Sequence, residues 1–128
     1  MKNFTKSVTI IVGILLLAGL AAAQSTDPKP FLGNWKGALS IAGQELQIGL
    51  NFSLDANKKI QGTFDSITQG AMGLKLSGFE IKDKTMTFVL ENVPGSPSFK
   101  ATVDGTGKKM TGDFIQAGFA GTFALDKQ

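Results

Sequence analysis

The 128-residue sequence contains no cysteine, histidine, tyrosine or arginine. Without cysteine, no disulfide can hold the fold and no thiol chemistry is available. Without histidine, the chain lacks the usual proton shuttle of neutral pH and the commonest transition-metal ligand. Because arginine gives bidentate recognition of phosphates and guanine edges, its absence leads us to expect no nucleic-acid partner. Stability must therefore come from packing, and we expect neither a metal nor a cofactor.

The N-terminal segment has the pattern of a signal peptide. Lys2 and Lys6 precede a mostly apolar run over residues 8–20, which is followed by an A-x-A site ending at Ala23. A membrane anchor is the alternative, but this run is shorter than the roughly 20 apolar residues that a spanning helix needs. We expect cleavage of residues 1–23 and export to the periplasm or the medium, with no integral membrane span left after cleavage.

The remaining residues predict one domain of ordinary size with almost no net charge. Loss of Lys2 and Lys6 with the signal peptide leaves 11 of the 13 lysines against all 10 acidic residues. Residues 24–32 contain two prolines and no alternation, so we interpret them as an irregular leader that plugs or flanks the domain. Residues 33–128 are then a single domain, long enough to bury one core.

From Gly33 onward, apolar and polar residues alternate in eight short segments that are separated by turn residues. This period of two is typical of consecutive antiparallel strands. The predicted fold class is all-β: an eight-stranded antiparallel up-and-down barrel, lipocalin-like in architecture, with a two-sheet sandwich as the alternative. In the fourth segment the alternation slips by one residue at Ser77-Gly78, which predicts a β-bulge.

Four glycines stand where the alternation calls for an inward side chain, namely Gly37, Gly62, Gly112 and Gly121. In barrel strands such glycines mark sharp bends or close approaches of the backbone. Alternatively, the missing side chains leave a cavity, which would be lined by the inward phenylalanines. An eight-stranded barrel allows either outcome, since side chains can just fill its interior or leave room for one small ligand.

The stretch GTFDSITQGAMG at residues 62–73 places Ser66 directly after Asp65. A serine nucleophile needs a base and an orienting partner, and without histidine the usual arrangement cannot form. Asp and Ser side chains also cap turns, and glycine permits the positive φ that turns require. We therefore interpret Asp65, Ser66, Gly70 and Gly73 as a structural loop, and we expect no enzymatic activity.

Several motifs resemble a known kind of domain. They are W-x-G-x-L from Trp35, G-x-x-L from Gly43, G-T-F-D-S-x-x-Q-G-A-x-G from Gly62 and G-x-F-x-Q-x-G from Gly112. Over about residues 33–125, the chain resembles the β-barrel domain that precedes the catalytic domain in some secreted bacterial α/β-hydrolases. The resemblance implies a freestanding accessory domain without the hydrolase domain, and it implies no activity for the barrel. The G-x-W at Gly33 is similar to that of lipocalins, but the arginine that packs on that tryptophan is absent.

In a meander, the connections after odd and after even strands lie at opposite ends of the barrel. The odd connections contain no charged residue, and we call them the uncharged rim; they are residues 42–43, 66–73, 92–97 and 116–118. The even connections hold six lysines and three aspartates, and we call them the lysine-rich end; they are residues 55–59, 82–84 and 104–109. An uncharged, glycine-rich rim is suited to a ligand mouth or a protein contact.

Two hypotheses of function follow. The first is a binding module that takes an apolar small molecule into the barrel through the uncharged rim. The second is an interaction module that docks a secreted α/β-hydrolase, a second copy of itself or an envelope component. Under both hypotheses Trp35, Gln69 and Gln116 are the candidate contacts to a ligand or partner. We expect Gln69 and Gln116 to approach each other and to bind backbone groups of the opposing loop.

Overall fold

Eight antiparallel strands form one closed barrel in the computed structural model, which describes residues 24–128. The signal peptide predicted for residues 1–23 lies outside the described residues. A one-turn 3₁₀ helix, Lys29–Phe31, precedes the first strand. The strands are β1 Gly33–Ile41, β2 Gln44–Leu54, β3 Ile60–Ser66, β4 Ala71–Lys82, β5 Thr85–Leu90, β6 Ser98–Val103, β7 Lys109–Gln116 and β8 Phe119–Lys127.

Each strand pairs with the next along the chain, and β8 pairs with β1 to close the barrel. The predicted all-β up-and-down barrel is therefore confirmed over the sandwich alternative. The predicted β-bulge is also confirmed, because the β4–β5 register shifts between Ser77 and Glu80. Gly78 has a φ of +67°, in the left-handed region that glycine tolerates best. A second register shift, between β3 and β4, falls between Phe64 and Ser66.

Phenylalanine rings fill much of the barrel interior. Phe99 stacks on Phe88 with ring centroids 4.9 Å apart, and it meets Phe114 edge-on at 4.8 Å. Phe52 meets Phe88 edge-on at 5.4 Å. These separations lie within the range of about 4.5–7 Å at which aromatic pairs attract. The rings link strands from several sides of the barrel into one core.

The four inward glycines leave no room for a side chain. A Cβ atom at Gly62 would lie 2.6 Å from Phe52 Cδ1, and one at Gly121 would lie 2.6 Å from the carbonyl oxygen of Ser40. At Gly37 and Gly112 a carbonyl oxygen of the neighbouring strand would be closer still. The glycines therefore mark close approaches, and the cavity alternative is wrong at these positions.

The leader contacts the barrel at the lysine-rich end. Phe31 is fully buried in the core, and its carbonyl oxygen accepts a hydrogen bond from Trp35 Nε1 at 2.9 Å. Ser25 N donates to Asp83 Oδ1 at 3.0 Å, and Asp83 N donates to the Ser25 carbonyl oxygen at 2.7 Å. These bonds tie the leader to the β4–β5 turn, so Phe31 packs under this end of the core.

Candidate binding surface at the uncharged rim

The uncharged rim is built from the connections that follow β1, β3, β5 and β7, which the closed meander brings to one end. The β5–β6 connection spans residues 91–97, because β5 ends at Leu90 and β6 begins at Ser98. It therefore begins one residue before the charge-free segment and includes Glu91. The Glu91 carboxylate lies 3.9 Å from Lys75 Nζ, so the charged side chain of this connection is paired.

Asp65 holds the β3–β4 loop in place. Its Oδ1 atom accepts a hydrogen bond from Gly73 N at 2.7 Å, and its Oδ2 atom accepts one from Asn51 Nδ2 at 3.0 Å. The same loop is tied to β2, because Thr68 Oγ1 accepts a hydrogen bond from Gln47 N at 2.8 Å. The Asp65 carboxylate thus joins the two ends of its loop and links them to β2, as a structural turn residue does.

Ser66 is buried, with 2% of its surface exposed. Its Oγ atom donates a hydrogen bond to Gln69 Oε1 at 2.8 Å. An amide oxygen is not a general base, so this contact orients Gln69 and does not activate the serine. Gly70 and Gly73 have φ values of +71° and +70°, the left-handed conformation that the loop requires.

Gln69 and Gln116 line one depression in the rim, of about 290 Å³. Gln116 Nε2 donates a hydrogen bond to the Pro94 carbonyl oxygen at 3.1 Å, so Gln116 reaches the backbone of the β5–β6 connection. Gln69 instead bonds to Ser66 within its own loop. The depression is lined by Ile41, Ala42, Gln44, Leu46, Gln69, Gln116, Ala117 and Phe119.

Trp35 does not join the two glutamines. It is the third residue of β1, whereas the rim begins where β1 ends, so Trp35 lies toward the lysine-rich end. The side chain is fully buried beside Phe31, and Lys127 Nζ lies 5.7 Å from its ring centroid. This geometry makes Trp35 a core residue that anchors the leader to the barrel.

Exposed apolar side chains concentrate near the rim, which the sequence interpretation missed. Among residues 24–128, six large hydrophobic side chains are exposed, and only Leu54 of these lies at the lysine-rich end. Phe119 and Met72 are the most exposed, each at 60%. Two of these exposed side chains could have been predicted from the sequence, because the alternation places Val89 and Ile115 on the outer faces of their strands. The five rim-side residues are Ile67, Met72, Val89, Ile115 and Phe119.

The lysine-rich end has a different chemistry, because its acidic side chains cap turns or pair with lysines. Thr106 Oγ1 donates to Asp104 Oδ1 at 2.6 Å, and this bond, with backbone N–H donors, holds the pKa of Asp104 below its ordinary value. Lys109 Nζ lies 2.8 Å from Asp126 Oδ1, and this contact raises the pKa of Lys109. Lys109 is exposed and Asp104 is half-buried, so this end presents a charged surface.

No protein-family model matches this chain, and no curated protein shows significant similarity to it. Within residues 24–128, no helix is long and apolar enough to cross a membrane. The fold and the geometry of the rim therefore carry the functional argument.

Proposed function

We propose that this chain is a non-catalytic exported interaction module that docks an apolar surface of a partner protein at the uncharged rim. The observation that carries the proposal is the placement of apolar side chains. The interior is packed with phenylalanine rings, while the large apolar side chains left exposed gather near the rim. Exposed apolar surface of this kind, beside polar groups, is typical of protein interaction sites.

Docking is favoured over uptake of an apolar small molecule. The inward glycines, which would have given a ligand room, stand against neighbouring backbone and phenylalanine rings. The rim depression, at about 290 Å³, lies just below the range of roughly 300–1,000 Å³ typical of small-molecule pockets. A shallow depression of this size is better suited to part of a protein surface than to a whole buried ligand.

Three further lines support the proposal. The signal-peptide pattern of residues 1–23 supports export. The capping roles of Asp65 and Ser66 support a chain without hydrolytic chemistry of its own. The resemblance to the barrel domain of secreted α/β-hydrolases makes such a hydrolase the first partner to test, ahead of self-association or an envelope component.

Site-specific photo-crosslinking in the host cell tests the docking surface. A benzophenone amino acid replaces Phe119 at the rim or, in the matched control, Lys108 at the lysine-rich end, since both side chains are exposed. We expect a discrete crosslinked protein from position 119 only, identified by mass spectrometry. Equal adducts from both positions, or none from position 119, would contradict docking at the rim.

A further inference from the structure

The rim depression has no charged side chain among its lining residues. Its apolar part comes from Ile41, Leu46 and Phe119, and its polar part comes from the side-chain amides of Gln44, Gln69 and Gln116. An ionic ligand would find no countercharge there and would lose hydration on entering. The occupant is therefore a neutral group that is partly apolar.

Two of these amides are held in opposite orientations. Gln69 Oε1 accepts the hydrogen bond of the buried Ser66 hydroxyl, which leaves its Nε2 donor without a partner among residues 24–128. Gln116 Nε2 donates to the Pro94 carbonyl oxygen, which leaves its Oε1 acceptor without a partner in the same part of the chain. The depression thus presents free amide N–H donors and a free amide oxygen from two different connections.

We propose that the depression binds one peptide group of an extended, uncharged segment of the partner protein. The peptide carbonyl accepts a hydrogen bond from Gln69 Nε2, and the peptide N–H donates one to Gln116 Oε1. An adjacent apolar side chain of the segment packs against Phe119. This inference rests on the proposed docking function, and it names the chemistry that the rim recognises.

The uncharged, amide-bearing lining distinguishes this occupant from other classes. Gln116 Nε2 keeps a second N–H and Gln69 Oε1 keeps a second lone pair, so hydrogen-bonding capacity alone excludes no ion. An anion or a cation would, however, lose hydration without meeting a countercharge among the lining residues. A peptide group carries one acceptor and one donor, which is the complement of the two free amide atoms. A neutral sugar could satisfy the same pair, but its many hydroxyls would leave polar groups buried against Ile41 and Leu46.

A titration followed by NMR tests the inference. The probe is the uncharged peptide acetyl-Ala-Leu-Ala-amide, added to the ¹⁵N-labelled exported chain. We expect shifts confined to the residues that line the depression. Gln69→Met and Gln116→Met should each weaken binding about two- to tenfold, the effect of one lost hydrogen bond. The matched control is Gln61→Met, which removes an exposed glutamine of β3 that bonds to Ser53 and lies outside the depression.

A second ligand keeps the test independent of protein folding. An analogue with ester oxygens in place of its backbone N–H groups retains the carbonyls but cannot donate to Gln116. We expect it to bind about two- to tenfold more weakly. Equal binding of the ester, unchanged binding by both rim variants, or rim shifts caused by maltose but not by the peptide would overturn the inference. If position 119 crosslinks a protein while the peptide shifts no rim resonance, docking stands and the peptide-group inference fails.

Discussion

Replacing Gly112 by alanine tests whether the barrel interior is filled. Gly112 faces inward in β7, opposite Ala101 of β6. A Cβ atom there would collide with the carbonyl oxygen of Lys100 and would lie 2.6 Å from Phe123 Cζ. The first of these neighbours is backbone in a paired strand, so it cannot rotate away as a flexible side chain can. We expect overpacking and not a harmless gain of one methyl group.

The expected loss is about 1–3 kcal/mol in the free energy of unfolding, the usual cost of overpacking a close-packed core. For a domain of this size, a loss of about 1 kcal/mol lowers Tm by about 4 °C. Gly112→Ala should therefore melt about 4 to 12 °C below the wild type. Circular dichroism or scanning calorimetry on the purified protein measures this change directly.

Gly105→Ala is the matched control. Gly105 lies in the turn between β6 and β7, no atom of residues 24–128 would lie within 4 Å of an added Cβ, and its φ is not positive. Alanine at such a site restricts the unfolded chain, so Tm should stay constant or rise by up to about 4 °C. If Gly112→Ala melts at or above the wild-type temperature, the interior has room and the argument for a filled barrel fails.

Three other substitutions test single contacts. Trp35→Phe removes the N–H that donates to the Phe31 carbonyl oxygen and leaves this buried acceptor without a partner. We expect the free energy of unfolding in urea to fall by about 1–3 kcal/mol. Crosslinking at the rim should persist. Asp65→Ala removes the acceptor of two loop hydrogen bonds and should cost about 2 kcal/mol in the same assay; an unchanged midpoint would contradict its structural role. Thr106→Val should raise the pKa of Asp104 in an NMR titration. Because the folded-state pKa is lowered, the contribution of Asp104 to stability is present at neutral pH and is lost as the pH falls through its titration. If the pKa of Asp104 does not change in Thr106→Val, the hydrogen bond from Thr106 is not its cause.

The alternation of the sequence predicted much of the fold, because each strand has one face in the core. In β5, Met86, Phe88 and Leu90 are all buried, as a period of two requires. The slip at Ser77-Gly78 predicted the bulge because one extra residue changes the phase of every residue after it. These are local signals, and a closed meander satisfies all of them at once.

The position of a side chain along the barrel axis was harder to predict from the sequence than the face of the sheet on which it lies. Phe119 has the same phase as the buried Phe123, yet it is exposed because it lies at the rim beyond the packed layers. The interpretation of Trp35 as a ligand contact relied on its residue type, although its place early in β1 already indicated the end away from the rim. The orientation of the Gln116 amide depends on a contact with the β5–β6 connection, which no local pattern encodes, whereas Gln69 is bonded to Ser66 within its own loop.

Closure of the barrel also limits how a partner can bind. Because β8 pairs with β1, the sheet formed by residues 33–127 has no edge strand, and an incoming segment cannot add to it through main-chain pairing. A segment of the partner must instead meet side chains or loop backbone. Side-chain amides carry the same donor and acceptor groups as a peptide bond, so in the proposed binding mode Gln69 and Gln116 hydrogen-bond to the carbonyl and the N–H of a peptide group without any strand edge. If the proposed docking function is correct, an eight-stranded barrel with a filled interior recognises a polypeptide at its rim without exposing an edge that would promote aggregation.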